Sequence, residues 1–140
     1  METPHLFFIR LATISGISDE SLLRKLTASV LTELRAMVAP GEANYVRQQL
    51  PEPLQALWGP IVTDPLSVDF AFPRPDAGAF LERVKAATGI ADARRAVQAT
   101  FVVLDEALPD PAVVTILHSV SPSLKQLWVN REAVLNDLKL

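Results

Sequence analysis

The feature that most constrains the fold of this chain is an internal repeat. Matched residues recur 73 positions apart. Those of the first copy are Phe7, Arg10, Leu11, Gly16, Ile17, Thr27, Val30, Leu31 and Glu33, and those of the second are Phe80, Arg83, Val84, Gly89, Ile90, Thr100, Val103, Leu104 and Glu106. Farther along the spacing falls to 70, and Leu54, Leu57 and Trp58 recur as Leu124, Leu127 and Trp128. Because a fixed period sets the architecture of a chain, the sequence predicts two copies of one structural unit.

The apolar residues within each copy have the spacing of amphipathic helices. In the clearest case, one stripe with steps of three and four positions consists of Leu23, Leu26, Val30, Leu34 and Met37, which is typical of a helix with one buried face. We predict four helices per copy. Those of the first copy are at 5–14, 19–38, 42–50 and 53–58. In the second copy two helices are at 77–87 and 91–108, and two more begin at the Asp110-Pro111 and Ser121-Pro122 pairs. Ser18 is the predicted N-cap of the helix at 19–38.

The predicted organisation is a single all-α domain, a pseudo-symmetric helical bundle. Its parts are repeat one at 4–58, a Pro-rich extended connector at 59–75, repeat two at 76–128 and a C-terminal helix at 130–140. Two copies are fewer than an open solenoid needs, so we expect them to close over one shared core. We expect Trp58 and Trp128 in that core.

Apolar side chains also alternate with other residues in the connector. The alternation at 67–72 predicts an extended, strand-like stretch in which Phe70 and Phe72 face either the core or an interface.

Composition narrows the class of protein. A hydrophobic content of 49% and a net charge of −3 are unlike those of a disordered chain. The chain has no cysteine, which excludes disulfides and thiolate metal sites. No uncharged apolar run approaches the roughly 20 residues that span a bilayer, and Arg10 interrupts the short run at 6–9, unlike a signal peptide. We therefore expect a cytoplasmic protein with no membrane partner.

Several segments together resemble a known family. They are Gly-Ile-Ser-Asp-Glu-Ser at 16–21, Pro-Gly-Glu-Ala at 40–43, Gln-Leu-Pro-Glu-Pro-Leu at 49–54, and Ala-Phe-Leu-Glu-Arg-Val at 79–84 followed by Gly89. The chain resembles the bacterial family called domain of unknown function twenty-two sixty-seven, whose members are small, helical and twofold repetitive. In the second copy, 110–112 and 121–123 depart from the pattern. The resemblance implies the fold and supplies no catalytic residues.

The residues that could support catalysis or metal binding are few. The two histidines are His5 and His118, and the second precedes Ser119. Adjacent residues on a helix do not face each other, and a Ser–His site also needs an orienting acid, so we expect structural histidines. Asp105 and Glu106 form an acidic pair that we expect in solvent. Without Ca²⁺-loop spacing or a Gly-rich phosphate loop, the sequence predicts no enzyme, no cofactor and no metal site.

Binding functions are the remaining class. Basic pairs occur at 24–25 and 94–95, but the chain has 16 acids against 13 bases, so we interpret both pairs as solvated helix faces and expect no nucleic-acid partner. Tyr45, Phe70 and Phe72 could line a groove. The function that we expect is a non-enzymatic helical interaction module that binds a protein partner or a second copy of itself. The alternative is a small-molecule binding or sensing domain with a cleft between the repeats.

Overall fold

The structure is a computed structural model that describes residues 6–61 and 75–132. Over these residues the chain forms helices and no strand. The helices are α1 (Leu6–Ser15), α2 (Glu20–Arg35), α3 (Pro40–Gln49), α4 (Glu52–Trp58), α5 (Ala77–Thr88), α6 (Ala93–Ala107), α7 (Asp110–Ser119) and α8 (Pro122–Val129). The predicted all-α class is confirmed, with four helices described on either side of the connector.

Some predicted features fall on other parts of the chain. The strand-like stretch at 67–72, with Phe70 and Phe72, and His5 lie outside the described residues. Of the predicted C-terminal helix, residues 130–132 form a turn after α8, and the rest also lies outside the described residues.

Matched aspartates begin the two long helices. The carboxylate of Asp19 accepts hydrogen bonds from the backbone N–H groups of Ser21 and Leu22, and the carboxylate of Asp92 accepts one from Arg95. Each satisfies donors that a helix N-terminus leaves unpaired and places negative charge at the positive end of the helix dipole. The prediction of Ser18 as the N-cap is therefore wrong by one residue.

Matched glycines end the helices that precede them. Gly16 and Gly89 have φ angles of 78° and 74°, in the left-handed region that favours glycine. The hydroxyls of the preceding residues, Ser15 and Thr88, accept hydrogen bonds from the backbone N–H groups two positions on. The same local device therefore joins α1 to α2 and α5 to α6.

The second copy is three residues shorter than the first, and most of this difference lies in the link between its second and third helices. Because of this deletion we expect α6 to be one turn shorter than α2, but α2 has 16 residues and α6 has 15. Residues 36–39 separate α2 from α3, whereas only Leu108 and Pro109 separate α6 from α7. A deletion in the link leaves the buried stripe of the long helix intact.

The helices pack across the two halves of the chain. α1 lies against α6 and α5 lies against α2, so each of these helices packs on the long helix of the opposite half; α2 also contacts α6, and α3 contacts α7. One cluster of buried side chains includes Phe8, Leu31 and Trp58 from the first half and Phe80 and Trp128 from the second. The halves therefore share a core, and the exact twofold relation between them stays a prediction.

Some helices are buried to a different extent than their counterpart or their sequence predicts. Residues 96–104 of α6 are all buried, so α6 is surrounded by its neighbours, whereas α2 buries one face. The apolar sequence of α7 predicts a helix buried all round, but Val114 is half exposed. This prediction is wrong because α7 lies at the edge of the bundle, with α3 as its main packing partner.

The shared core predicts how a half of the chain behaves alone. A fragment of residues 1–60 is expected to lack a cooperative transition as a monomer, because α1 and α2 lose the helices α6 and α5 on which they pack. Circular dichroism during heating, with the full chain as control, checks this. A sharp transition of a monomeric fragment would contradict the shared core.

Candidate functional site

The outer face of α1 has two exposed apolar side chains. Leu6 and Ile9 are 78% and 45% exposed, and because they lie three positions apart they are on the same side of the helix. The opposite side is buried through Phe7, Phe8, Leu11 and Ile14. The outward face of a surface helix is normally polar, and Arg10 and Thr13 are also exposed on this face. Two large apolar side chains therefore lie in solvent beside two polar ones.

The charged groups around α1 are engaged with one another. The guanidinium of Arg10 donates from Nε and Nη2 to the two carboxylate oxygens of Glu106 on α6, each at 3.1 Å. The hydrogen bond with Glu106 raises the pKa of Arg10 above its ordinary value. On α2, Arg24 pairs with Glu20 at 3.3 Å and lies 4.8 Å above the centre of the Phe8 ring. The Arg10–Glu106 pair thus lies beside the exposed apolar residues, and the Arg24–Glu20 pair lies against the buried side.

A second ion pair crosses between the halves in the same way. Arg83 on α5 donates to Glu33 on α2 at 3.2 Å. The two arginines, Arg10 and Arg83, are matched residues of the repeat, and so are Glu33 and Glu106. The repeat indicates that these residues are equivalent, but it does not show that each arginine meets the glutamate of the other copy.

The residues considered for catalysis have structural surroundings. His118 is exposed at the end of α7, whereas Ser119 is buried and donates to the carbonyl oxygen of Thr115 at 3.0 Å. Asp105 pairs with Arg131 at 2.7 Å, and Glu106 pairs with Arg10. Glu106 is exposed, as expected, whereas Asp105 is partly buried, and both carboxylates join α6 to neighbouring segments.

Metal-ligating groups do not converge in the described part of the chain. Across residues 6–61 and 75–132, no group of three or more His, Cys, Asp or Glu side chains could hold a metal ion.

The basic pairs lie on different helices. Lys25 on α2 and Arg94 on α6 are exposed, while Arg24 is held by Glu20 and by the Phe8 ring.

The two matched tryptophans are core residues with different hydrogen bonding. Trp58 and Trp128 are each 2% exposed, which confirms their predicted burial. The indole Nε1 of Trp58 donates to the carbonyl oxygen of Ala43 at 3.0 Å. Trp128 stacks on Phe101, with ring centres 4.4 Å apart, and its Nε1 has no hydrogen-bond partner in the described structure.

None of the described helices has the length and apolar character needed to cross a membrane.

Comparison with known proteins places the chain in a family. No curated protein matches the chain significantly. The sequence model of a family described as "Uncharacterized conserved protein (DUF2267)" matches residues 5–127, which include helices α1 to α7 and most of α8. The chain therefore belongs to the DUF2267 family, the family that its motifs resemble.

Proposed function

We propose that this protein is a non-enzymatic helical interaction module that binds a protein partner on the outer face of α1. The observation that carries the proposal is the exposure of Leu6 and Ile9 on a helix whose opposite face is already buried. Neighbouring apolar side chains that are exposed and rimmed by polar residues are typical of interaction sites. A partner that covers this face would complete the burial of Leu6 and Ile9.

The surroundings of α1 suit a protein interface. Fully burying a leucine or isoleucine side chain contributes about 1.5–3 kcal/mol, so Leu6 and Ile9 would be its anchors. The Arg10–Glu106 pair borders them, and interfaces commonly have an apolar centre inside a polar rim. Because this pair is already satisfied within the chain, a partner need not neutralise it.

The side chains considered for catalysis are bound to other groups of the chain, which supports a non-enzymatic role. Ser119 donates to a backbone oxygen within its own helix, and the carboxylates of Asp105 and Glu106 are bound to arginines. Nucleophilic catalysis requires a nucleophile within hydrogen-bond reach of a base. The small-molecule alternative has no comparable observation in its support among residues 6–61 and 75–132.

Substitution of Ile9 by lysine is expected to weaken partner binding by tenfold or more, because a charge replaces one of the two apolar anchors. The matched control is Val129→Lys, since Val129 is 51% exposed and lies on α8. The measurement is quantitative affinity purification from cells of the source with the wild-type chain and both variants. The partner should be retained by the wild type and by Val129→Lys and lost by Ile9→Lys.

Light scattering over a dilution series identifies the occupant of this surface. A wild-type dimer that dissociates on dilution, together with a monomeric Ile9→Lys variant, would identify a second copy as the partner. A wild-type monomer with an Ile9-dependent captured protein would identify a different protein. If neither self-association nor any captured protein depends on Ile9, the proposed function is wrong.

A further inference from the structure

We propose that Arg35 and Arg47 form a binding site for a phosphate group at the end of α4. Arg35 donates from Nη1 to the carbonyl oxygen of Trp58 at 3.2 Å and from Nη2 to that of Pro60 at 2.9 Å. Arg47 donates from Nε to the carbonyl oxygen of Gly59 at 2.7 Å. Because the three acceptors are consecutive residues, the two guanidiniums meet at one point of the chain.

The charges of these two arginines are not offset by acidic side chains in the described part of the chain. Elsewhere in that part, carboxylates pair with Arg10, Arg24, Arg83 and Arg131. Arg35 and Arg47 donate to backbone oxygens instead. A carbonyl oxygen at a helix end carries a partial negative charge, which binds a guanidinium less strongly than a carboxylate does. The site therefore keeps positive charge that an anion can offset.

The two guanidiniums also keep unused donors. A guanidinium has five N–H groups, and the three hydrogen bonds to carbonyl oxygens use Nη1 and Nη2 of Arg35 and Nε of Arg47. Within residues 6–61 and 75–132, Nε of Arg35 and both Nη groups of Arg47 have no acceptor. Both residues are partly exposed, so a ligand can reach them from solvent.

Gly59 makes room for this arrangement. A Cβ at position 59 would overlap the Arg35 guanidinium, so this side chain occupies space that any other residue would fill. The hydrogen bonds to the backbone hold the guanidinium in one orientation before a ligand arrives. Such preorganisation lowers the entropic cost of binding.

The repeat indicates that the fold does not require these residues. Counted by the same spacings, Arg35, Arg47 and Gly59 fall on the apolar residues Leu108, Leu117 and Val129. The matched end of α8 is held by the neutral amide of Gln98 and by Arg131, which is paired with Asp105. A helix end of this protein can therefore be held without an arginine that lacks a carboxylate, which indicates another role for the pair in the first half.

A phosphate group is the anion that suits this pair. Guanidinium groups bind phosphate oxygens through parallel N–H bonds, and a dianion matches two positive charges. The ligand is either inorganic phosphate or the phosphate group of a small ester. Since α2, α3 and α4 all belong to the first half, the site is separate from the outer face of α1 and from a cleft between the repeats.

Titration with inorganic phosphate, followed by the NMR signal of the Gly59 amide at an ionic strength held constant with chloride, tests the site. We expect a saturable shift in the wild type. Arg47→Leu, which introduces the residue of the matched position, should weaken binding about tenfold or more, because hydrogen bonds to a charged group are lost. Arg47→Lys keeps the charge and should weaken binding less. The matched control is Arg94→Leu, which removes an exposed arginine of α6 and should leave the titration unchanged.

A parallel titration with glycerol phosphate distinguishes the two sources of the ligand. Tighter binding of the ester would identify a small organic phosphate, and tighter binding of inorganic phosphate would identify the free ion.

Three results would overturn the inference. The first is a wild-type signal that does not saturate, and the second is an equal loss of binding in Arg94→Leu. The third is binding that appears only with Asp64→Asn and Asp69→Asn together, which would mean that a carboxylate of the chain itself fills the site. Ile9→Lys should leave phosphate binding unchanged, so this inference and the proposed function fail independently.

Discussion

Replacing Trp58 with alanine is expected to lower the free energy of unfolding by about 3–5 kcal/mol, the usual cost of deleting a large buried aromatic side chain. Trp58 is 2% exposed, and its indole joins α4 to α3 through the hydrogen bond to Ala43. The substitution removes this bond and leaves a cavity in the shared core. Trp128→Ala is expected to fall in the same range, because Trp128 is equally buried and loses its stacking on Phe101.

Phenylalanine substitutions should separate the two tryptophans. Trp58→Phe removes a hydrogen bond that contributes about 1 kcal/mol, whereas Trp128→Phe removes a buried N–H that has no acceptor in the described structure. Burying a donor without a partner is unfavourable, so its removal offsets part of the lost packing. Trp128→Phe should therefore cost less than Trp58→Phe.

Urea denaturation of the four variants, followed by circular dichroism, measures these differences. A loss below about 1 kcal/mol for either alanine variant would place that indole on the surface, against its expected cost as a core residue. A larger loss for Trp128→Phe than for Trp58→Phe would mean that the Trp128 indole has an acceptor. The difference follows from packing, since α3 contacts α4, whereas α8 packs chiefly against α5 and α6.

Local features of the fold could be predicted from the sequence because short-range chemistry determines them. The stripe at 23–37 predicts α2, and Gly16 and Gly89 predict where α1 and α5 end. The first residue of α2 is harder to predict, because Ser18 and Asp19 are both good N-caps.

The candidate surface was not predicted, although the spacing in α1 contains a signal for it. The buried Phe7, Leu11 and Ile14 have helical spacing. The exposed Leu6 and Ile9 lie on the other face, together with Arg10 and Thr13. In α7, the edge position leaves Val114 half exposed.

The pairing of each arginine with a glutamate of the other half could not be predicted from the sequence either. A repeat indicates that Arg10 and Arg83 are equivalent residues. It contains no information on whether each packs against its own half or the other one.

Gly59 is expected to be the least replaceable glycine in the described structure. Its backbone has φ 117° and ψ 175°, a region that is essentially restricted to glycine and costs other residues about 1–3 kcal/mol. A Cβ at this position would also overlap the Arg35 guanidinium. That guanidinium donates to the carbonyl oxygens of Trp58 at 3.2 Å and of Pro60 at 2.9 Å. It therefore closes the end of α4, and a methyl group would displace it.

Gly59→Ala should lower the free energy of unfolding by about 2–4 kcal/mol, because the backbone strain and the loss of the Arg35 hydrogen bonds act together. The matched controls are Gly16→Ala and Gly89→Ala, where φ is also positive but no atom lies within 4 Å of the added Cβ. Each should cost about 1 kcal/mol, from the backbone alone.

A double-mutant cycle tests the physical cause. If the methyl group acts by displacing the Arg35 guanidinium, Arg35→Ala should cost markedly less in the Gly59→Ala background than in the wild type. Additive costs of the two substitutions, or a cost of Gly59→Ala equal to that of Gly16→Ala, would show that the arginine can move aside without loss. The end of α4 would then be held by Arg47, whose Nε donates to the carbonyl oxygen of Gly59 at 2.7 Å, and by the burial of Trp58.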